Sequence, residues 1–201
     1  MKKREERKSI YNSIPKIELS SVHLTGAELV ESRCAMLEKL PKGLRACEIG
    51  VAEGQFSAEI WSRLTPSQLT LVDLWEGERY SPGYELVNNI FNEQILNGSV
   101  IVCKSTSVDF LKTTKDYSFD FIYIDTDHTY ETTIQELRLA DRAISPGGFI
   151  AGHDYTMGNP VAPVVYGVIQ AVNQFCVENN YRFKYLTAES GGWNSFCLVK
   201  I

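Results

Sequence analysis

The chain has 201 residues, of which 44% are hydrophobic and 22% charged, and its formal net charge is -5. These values are typical of one ordinary globular domain, and no apolar run approaches the roughly 18 residues that a membrane-spanning helix needs. This net negative charge argues against a broad basic surface that binds the phosphates of a nucleic acid. We therefore expect neither a membrane nor a nucleic acid as partner.

The first residues and the cysteines bear on cellular location. The start MKKREERKSIYNSIP is basic like an export signal, but no apolar segment follows it, which favours a solvated arm or short helix. The five cysteines lie inside apolar segments and lack the CxxC spacing of a zinc site. Such cysteines are usually buried, reduced thiols, which indicates a reducing compartment. We expect a cytoplasmic protein.

Strand-like and helix-like segments alternate along the chain. After a predicted helix in TGAELVESRCAMLEKL, the strand-like runs are apolar on both faces, as parallel strands covered by helices require. These runs are residues 45–50, 69–74, 99–103, 119–125 and 147–154. The candidate helices between them are residues 55–64, 84–97, 106–114 and 129–144. The alternation predicts a doubly wound α/β sheet.

The last part of the chain predicts one more helix and a hairpin. Apolar residues from Val164 to Cys176 repeat with helical period, and the runs RFKYLTA and WNSFCLVK flank a Glu-Ser-Gly-Gly turn. No repeat or linker interrupts the chain. We therefore predict an N-terminal arm and helix over residues 1–43 and one globular unit over residues 44–201.

The first strand of that unit runs into a glycine loop, EIGVAEGQFS. Gly50 and Gly54 would let the backbone turn tightly and approach a ligand, although a plain strand-to-helix turn has the same composition. Ala52 replaces the middle glycine of the dinucleotide-binding spacing, which disfavours a nicotinamide dehydrogenase. Asp73, at the end of the second strand, is placed to accept hydrogen bonds from a ribose or to stabilise a turn.

Three residues near these strand ends could contact an adenine. Trp75 could cover the face of the base or could pack in the interior. Ser105 and Thr106, after the third strand, could meet the edge of the base or cap the next helix.

The fourth and fifth strands both end in acids and histidines, in IDTDH and AGHDY. Asp125, His153 and Asp154 would share one cleft and could bind Mg²⁺ or a similar ion. Asp127 or His128 could act as a general base. Helix capping by Asp127 or Thr129, with local hydrogen bonding by His153 and Asp154, is the alternative.

The segments ACEIGVAEGQFS, LTLVDLWEG, FDFIYIDTDHTYE and SPGGFIAGHDY, with the terminal hairpin, resemble the class I methyltransferases that depend on S-adenosylmethionine (SAM). More narrowly, the chain resembles the small bacterial O-methyltransferases related to macrolide-sugar and aminocoumarin-sugar enzymes. The resemblance implies a Rossmann-like sheet of seven strands, mostly parallel with the last strand antiparallel, and helices on both faces.

The resemblance also assigns roles by position. The implied cofactor-binding residues are Glu48, Gly50, Gly54, Asp73, Trp75, Ser105, Thr106 and Asp125. The implied metal ligands are Asp125, His153 and Asp154, although His153 stands where some relatives have an acid. Asp127 matches the base of the sugar enzymes, and the catalytic set is Asp125, Asp127 and His128.

We therefore expect a SAM-dependent methyltransferase that methylates a hydroxyl of a small molecule, such as a sugar, with a divalent cation such as Mg²⁺. A metal-independent enzyme for an amine or phenol, and a catalytically silent SAM- or nucleotide-binding protein, are the alternatives. The segments WEGERYSPGY and YTMGNPVAPVVYG are predicted to be loops that close over the acceptor, and their aromatic residues favour an acceptor with a ring. The acceptor itself and the oligomeric state, including a homo-oligomer, stay open.

Overall fold

A computed structural model describes residues 2–159, 161–162 and 164–201, without the side chains of Lys2 and Lys3. Eight strands form one sheet in the order β1-β7-β8-β6-β5-β2-β3-β4. The strands are β1 (Glu28–Val30), β2 (Arg45–Ile49), β3 (Gln68–Asp73), β4 (Val100–Lys104), β5 (Phe119–Ile124), β6 (Ile144–Gly152), β7 (Tyr181–Thr187) and β8 (Phe196–Lys200).

The strand directions confirm the predicted fold class. Strands β2 to β6 pair in parallel, and the last strand, β8, lies antiparallel between β6 and β7. The strand order reverses at β2, which is where ligands bind in open α/β sheets. The sheet has one strand more than expected, because β1 pairs in parallel with β7 at the far edge.

The described helices surround the sheet. They are α1 (Lys2–Ser13), α2 (Arg33–Glu38), α3 (Gln55–Leu64), α4 (Gly77–Ile90), α5 (Asn92–Leu96), α6 (Ser107–Thr113), α7 (Tyr130–Ala143) and α8 (Val168–Asn179). A further single 3₁₀ turn spans Ser21–His23. Within the described ranges, no helix is long and apolar enough to cross a bilayer.

Three helix predictions are wrong in their bounds. The C-terminal helix starts at Val168 and not near Val164, since Val165 pairs with Gly158 in an isolated β-bridge before it. The segment 25–40 forms β1 before α2, because the Ser32 side chain accepts a hydrogen bond from the Ala35 amide at 3.2 Å and starts the helix there. The predicted helix 84–97 starts earlier and is divided at Phe91 into α4 and α5. Pro82 and Gly83 suggested a loop, but both lie inside α4.

Two buried clusters of side chains, one on each face, hold the sheet and its helices together. One cluster includes Leu111, Leu137 and Phe175 from α6, α7 and α8. The other includes Met36 from α2 and Ile60 from α3. Since α2 belongs to the N-terminal 43 residues, part of that segment packs into the same core as the sheet.

Candidate active site

A cavity of about 570 Å³ opens at the carboxyl ends of β2, β3, β4 and β5. Its volume lies within the range of about 300–1,000 Å³ that is common for small-molecule sites. The predicted residues on its wall are Glu48, Gly50, Asp73, Ser105, Thr106, Asp125, Asp127 and His128. The cavity therefore joins most of the predicted cofactor residues to the first of the two acidic strand ends.

The glycine loop passes very close to the neighbouring strand. Gly50 has a φ of 90°, and a Cβ there would overlap the carbonyl oxygen of Asp125, so only glycine fits. Gly54 has a φ of 82° at the start of α3 and lies behind the cavity, where a Cβ would approach Val87 at 2.9 Å. Gly50 thus permits the close approach of β2 and β5, and Gly54 permits the packing of α3 against α4.

Asp73 holds the glycine loop in place. Its Oδ2 accepts hydrogen bonds from the amides of Val51 at 2.8 Å and Ala52 at 2.9 Å. Its Oδ1 accepts a third bond from the amide of Trp75 at 2.8 Å. A carboxylate offers about four lone-pair sites, so Asp73 keeps acceptor capacity towards the cavity.

Trp75 lies outside the cavity. Its side chain is only 1% exposed, its Nε1 donates to the carbonyl of Ala52 at 2.8 Å, and its ring meets the Tyr84 ring edge-on at 5.3 Å. Such burial leaves no open ring face for an adenine. Two neighbours from α4, Arg79 and Tyr80, line the cavity instead.

Ser105 and Thr106 reach the wall of the cavity from the end of β4. The Ser105 amide donates to the carbonyl of Asp73 at 3.0 Å, which fixes this turn beside the second strand end. The Thr106 hydroxyl accepts from the amide of Asp109 at 3.1 Å and so caps α6. Thr106 therefore has a structural role together with its place on the wall.

The structure brings His128, and not His153, together with the two aspartates. The Nε2 of His128 lies 3.1 Å from Asp125 Oδ1 and 2.8 Å from Asp154 Oδ2. Burial opposes the imidazolium charge, but hydrogen bonds to both carboxylates raise the pKa of His128 to about 9. The imidazole is therefore cationic at neutral pH and balances part of the charge of the two acids.

The backbone at this cluster adopts a conformation that side-chain-bearing residues rarely take. His128 and Asp154 have φ values of 63° and 58°. Each such residue costs on the order of 1–2 kcal/mol, and residues of this kind concentrate at functional sites. Stacking of the Tyr166 ring on the imidazole at 4.7 Å and a 2.9 Å bond from the Gly167 amide to the His128 carbonyl hold the loop in place.

His153 points away from the cluster. Its Nδ1 lies 2.9 Å from the hydroxyl of Ser195, which in turn lies 3.0 Å from the hydroxyl of Tyr123. Asp154 lies beyond the end of β6 with a φ of 58°, and its carboxylate faces His128, whereas the neighbouring His153 bonds to Ser195. The sequence pattern could not show which histidine would join the aspartates.

Asp127 faces the cavity from an exposed position. It accepts hydrogen bonds from the amide and hydroxyl of Thr129, both at 2.9 Å, and from the hydroxyl of Thr132 at 2.8 Å. Thr129 in turn caps α7 by accepting from the Thr132 amide at 3.3 Å. Asp127 is thus fixed by the helix start and still open to a ligand.

Two buried glutamates lie at this end of the sheet. Glu48 is 2% exposed and accepts a hydrogen bond from the hydroxyl of Ser57, and burial raises its pKa to about 8. Glu136, on α7, accepts from the hydroxyl of Thr126 at 2.9 Å and 3.0 Å, and burial raises its pKa to about 7. Glu48 is therefore mainly neutral at pH 7. The sequence analysis missed Glu136, because a lone acid inside a helical run carries no signal.

Arg33 closes one side of the cavity, and the sequence analysis also missed it. Its guanidinium lies 4.2 Å from the centre of the Phe56 ring and 3.8 Å from Asp125 Oδ2. It stands at the start of α2, in the segment predicted to be an arm. Because β1 and α2 fold back onto the sheet, this distant part of the sequence reaches the strand ends.

The residues present fit both a nucleotide-like cofactor and a divalent ion. Asp154 Oδ1 is buried and has no hydrogen-bond partner among the described residues, which is costly unless a ligand completes it. One ligand atom each from Asp125, His128 and Asp154 lies within 4.8 Å of the others. The two carboxylates are ligands that Mg²⁺ or Mn²⁺ accepts, and the added imidazole suits Fe²⁺.

Residues 47–155, just over half of the chain, match a family model described as a methyltransferase domain. The chain belongs to this methyltransferase family. The family and the fold together confirm a class I SAM-dependent methyltransferase, with SAM as the implied methyl donor. A comparison with curated protein sequences finds no match.

Solved structures of other methyltransferases share the fold. A SAM-dependent methyltransferase of Methanosarcina mazei gives a TM-score of 0.63 at 12% identity, covering 86% of this chain and 99% of that one. A protein described provisionally as an rRNA methylase of Clostridium thermocellum gives 0.60 at 16% identity, with 84% and 95% covered. TrmN of Thermus thermophilus gives 0.59 at 16% identity, with 84% and 47% covered.

Identities this low show a shared fold and do not transfer a substrate. Because one neighbour is described as an rRNA methylase, the expectation that this methyltransferase has no nucleic-acid partner gains no support from the comparison.

Proposed function

We propose that this methyltransferase transfers the methyl group of SAM to a hydroxyl of a small molecule, such as a sugar, with the help of a divalent cation. The observation that carries the proposal is that one cavity wall holds the glycine loop, Asp73, Asp125 and His128. Groups suited to a nucleoside therefore stand beside groups suited to a cation.

The residues that would hold the cofactor lie along β2, β3 and β4. Glu48 and the Gly50 loop would contact the amino-acid end, Asp73 the ribose, and Ser105 with Thr106 the adenine. When bound, SAM supplies a methyl group that its sulfonium already activates. The chain therefore has to align the acceptor oxygen and remove its proton. Gly54 and Trp75 would support this site from outside the cavity.

The residues that would hold the cation are Asp125, His128 and Asp154. Its binding would displace the proton that His128 Nε2 now shares with the two carboxylates. When bound, the cation would lower the pKa of the acceptor hydroxyl. We assign Asp127 as the base, since its carboxylate faces the cavity while hydrogen bonds from Thr129 and Thr132 fix its position. His128 is a poor base in either state, because its Nε2 is protonated between two carboxylates or would be bound to the cation.

One observation favours a second candidate, a metal-independent enzyme for an amine or phenol. The His128 imidazolium already bridges Asp125 and Asp154, so the cluster carries a cation of its own. A phenol or amine is also easier to activate than an aliphatic hydroxyl. The unpartnered Asp154 Oδ1 weighs against this candidate.

The first experiment is a calorimetric titration with S-adenosylhomocysteine (SAH), with and without Mg²⁺, on the wild type and on Asp73→Asn. Saturable binding that the substitution weakens would support the cofactor site. The second experiment measures transfer of a labelled methyl group from SAM to sugars, phenols, amines and RNA, with and without a chelator. Chelator-sensitive transfer to a sugar supports the main proposal. Chelator-insensitive transfer to a phenol or amine supports the second candidate.

A further inference from the structure

We propose that Arg33 binds the carboxylate at the amino-acid end of SAM. This inference rests on the cofactor site assigned above and adds a residue from outside the matched methyltransferase segment, residues 47–155. Arg33 lies in the N-terminal segment, residues 1–43, where no sequence motif indicates a ligand.

The position of Arg33 is the first reason. Its guanidinium packs over Phe56, the second residue of α3, directly after the glycine loop. The Tyr123 hydroxyl and Asp125, the residue whose carbonyl oxygen lies against Gly50, are also near neighbours. Arg33 therefore lies at the Glu48 and Gly50 end of the cavity, where the amino-acid end of the cofactor would lie.

The charges on this part of the wall are the second reason. The amino-acid end of SAM carries an ammonium and a carboxylate. Asp125 and Asp127 would attract the ammonium and repel the carboxylate, so the carboxylate needs a cation of the protein. His128 already hydrogen-bonds Asp125 and Asp154 through its Nε2. Arg33 is the cavity-lining cation that stands beside the glycine loop.

The geometry of the guanidinium is the third reason. Its nearest carboxylate oxygen, on Asp125, is 3.8 Å away, which is longer than a hydrogen bond. The side chain is 31% exposed, and its guanidinium has the Tyr123 hydroxyl and Asp125 as neighbours but hydrogen-bonds no described carboxylate, so N–H donors remain for a ligand. A planar guanidinium matches a carboxylate through two parallel hydrogen bonds.

The backbone of Arg33 is also fixed before a ligand arrives. Its amide donates to Glu189 Oε1 at 2.7 Å, in the turn between β7 and β8. The Phe56 ring supports the face of the guanidinium. Both contacts reduce the entropy that ordering the side chain on a ligand would cost.

The test compares two ligands that differ only in the carboxylate, SAH and decarboxylated SAH, by calorimetric titration. Arg33→Met removes the charge and keeps the aliphatic packing on Phe56. Arg33→Lys keeps the charge without the planar fork, and Arg79→Met is the matched control because Arg79 lines the same cavity from α4. Thermal unfolding of each variant checks that it is folded.

We expect Arg33→Met to weaken SAH binding by about 10- to 100-fold, the usual worth of hydrogen bonds to a charged group. Binding of decarboxylated SAH should change less than about threefold, because that ligand never made the contact. Arg33→Lys should recover part of the loss. Arg79→Met should leave the ratio of the two affinities at its wild-type value.

Two results would overturn the inference while leaving the cofactor site intact. One is a wild type that binds SAH together with an Arg33→Met variant that binds it equally well. The other is an equal loss for SAH and decarboxylated SAH, which would mean that Arg33 only supports the fold of the N-terminal segment. A wild type that binds neither ligand would instead overturn the cofactor assignment, and the Arg33 subsite with it.

Discussion

Asp73→Asn tests whether one carboxylate organises the cofactor site. In the structure, Asp73 Oδ2 accepts two backbone hydrogen bonds, from Val51 and Ala52, and Oδ1 accepts a third, from Trp75. Asparagine has a single oxygen, so in either orientation at least one of these amides faces an NH₂ group. Losing one hydrogen bond to a charged acceptor costs about 1.5–3 kcal/mol. For a chain of this size, that loss lowers the melting temperature by roughly 3–12 °C.

The effect should appear in two assays. Thermal unfolding should show the loss of stability, and calorimetry should show SAH binding weakened by about tenfold or more, because the loop relaxes and the ribose loses an anionic acceptor. Glu76→Gln is the matched control: the side chain is exposed, makes no capping hydrogen bond to α4 and lies three residues further along. It should stay within about 0.5 kcal/mol of the wild type. Equal stability and equal SAH affinity in Asp73→Asn would refute the role of Asp73.

Three further substitutions test other parts of the site. Gly50→Ala should destabilise the fold well beyond the roughly 1–2 kcal/mol expected for Gly98→Ala, since both glycines have positive φ but only Gly50 lies against another backbone. Equal melting temperatures would contradict this. Burial raises the pKa of Glu48 to about 8 from 4.5, so the folded state keeps a proton that the unfolded chain releases, and stability should fall as pH rises between these values. Glu48→Gln should reduce that fall by a few kcal/mol in urea unfolding at pH 5 to 9, and parallel curves would contradict the assignment. Asp154→Asn should leave SAH affinity unchanged but lower turnover by about 100-fold or more, as a chelator should in the wild type, and full turnover in the variant would contradict the cation site.

The central part of the fold could be predicted from the sequence because its signals are local. Each buried parallel strand is a short run that is apolar on both faces, and α3 occupies residues 55–64 as its period and the glycine before it predict. The start of α4 could not be found in this way. Pro82 and Gly83 are loop residues by propensity, but Gly83 fits closely against the carbonyl of Ala52, where a larger residue would overlap it. Tertiary packing therefore overrides local preference at this helix.

The site was predictable where it depends on strand ends and not where it depends on side-chain direction. Asp73 and Asp125 stand at the ends of apolar runs and Glu48 lies one residue before the end of β2, so the sheet topology alone brings them together. His153 was predicted to join the two aspartates, but His128 does so in the structure. Its position depends on left-handed backbone at His128, which no local motif indicates. Arg33 was missed for a different reason, since its place depends on the pairing of β1 with a strand about 150 residues later.

That pairing also sets the order in which the molecule can be completed during synthesis. The segment that carries Arg33 leaves the ribosome before the strands of the site, but β1 aligns Glu28 with Tyr185 and Val30 with Thr187, which are made after them. Contacts so distant in sequence form late, because the loop between them must first be closed. In a nascent chain the glycine loop and the first acidic strand end can therefore form before Arg33 is positioned at the side of the cavity that it closes. The Arg33 side of the cavity is therefore closed only after β7 has been made and has paired with β1.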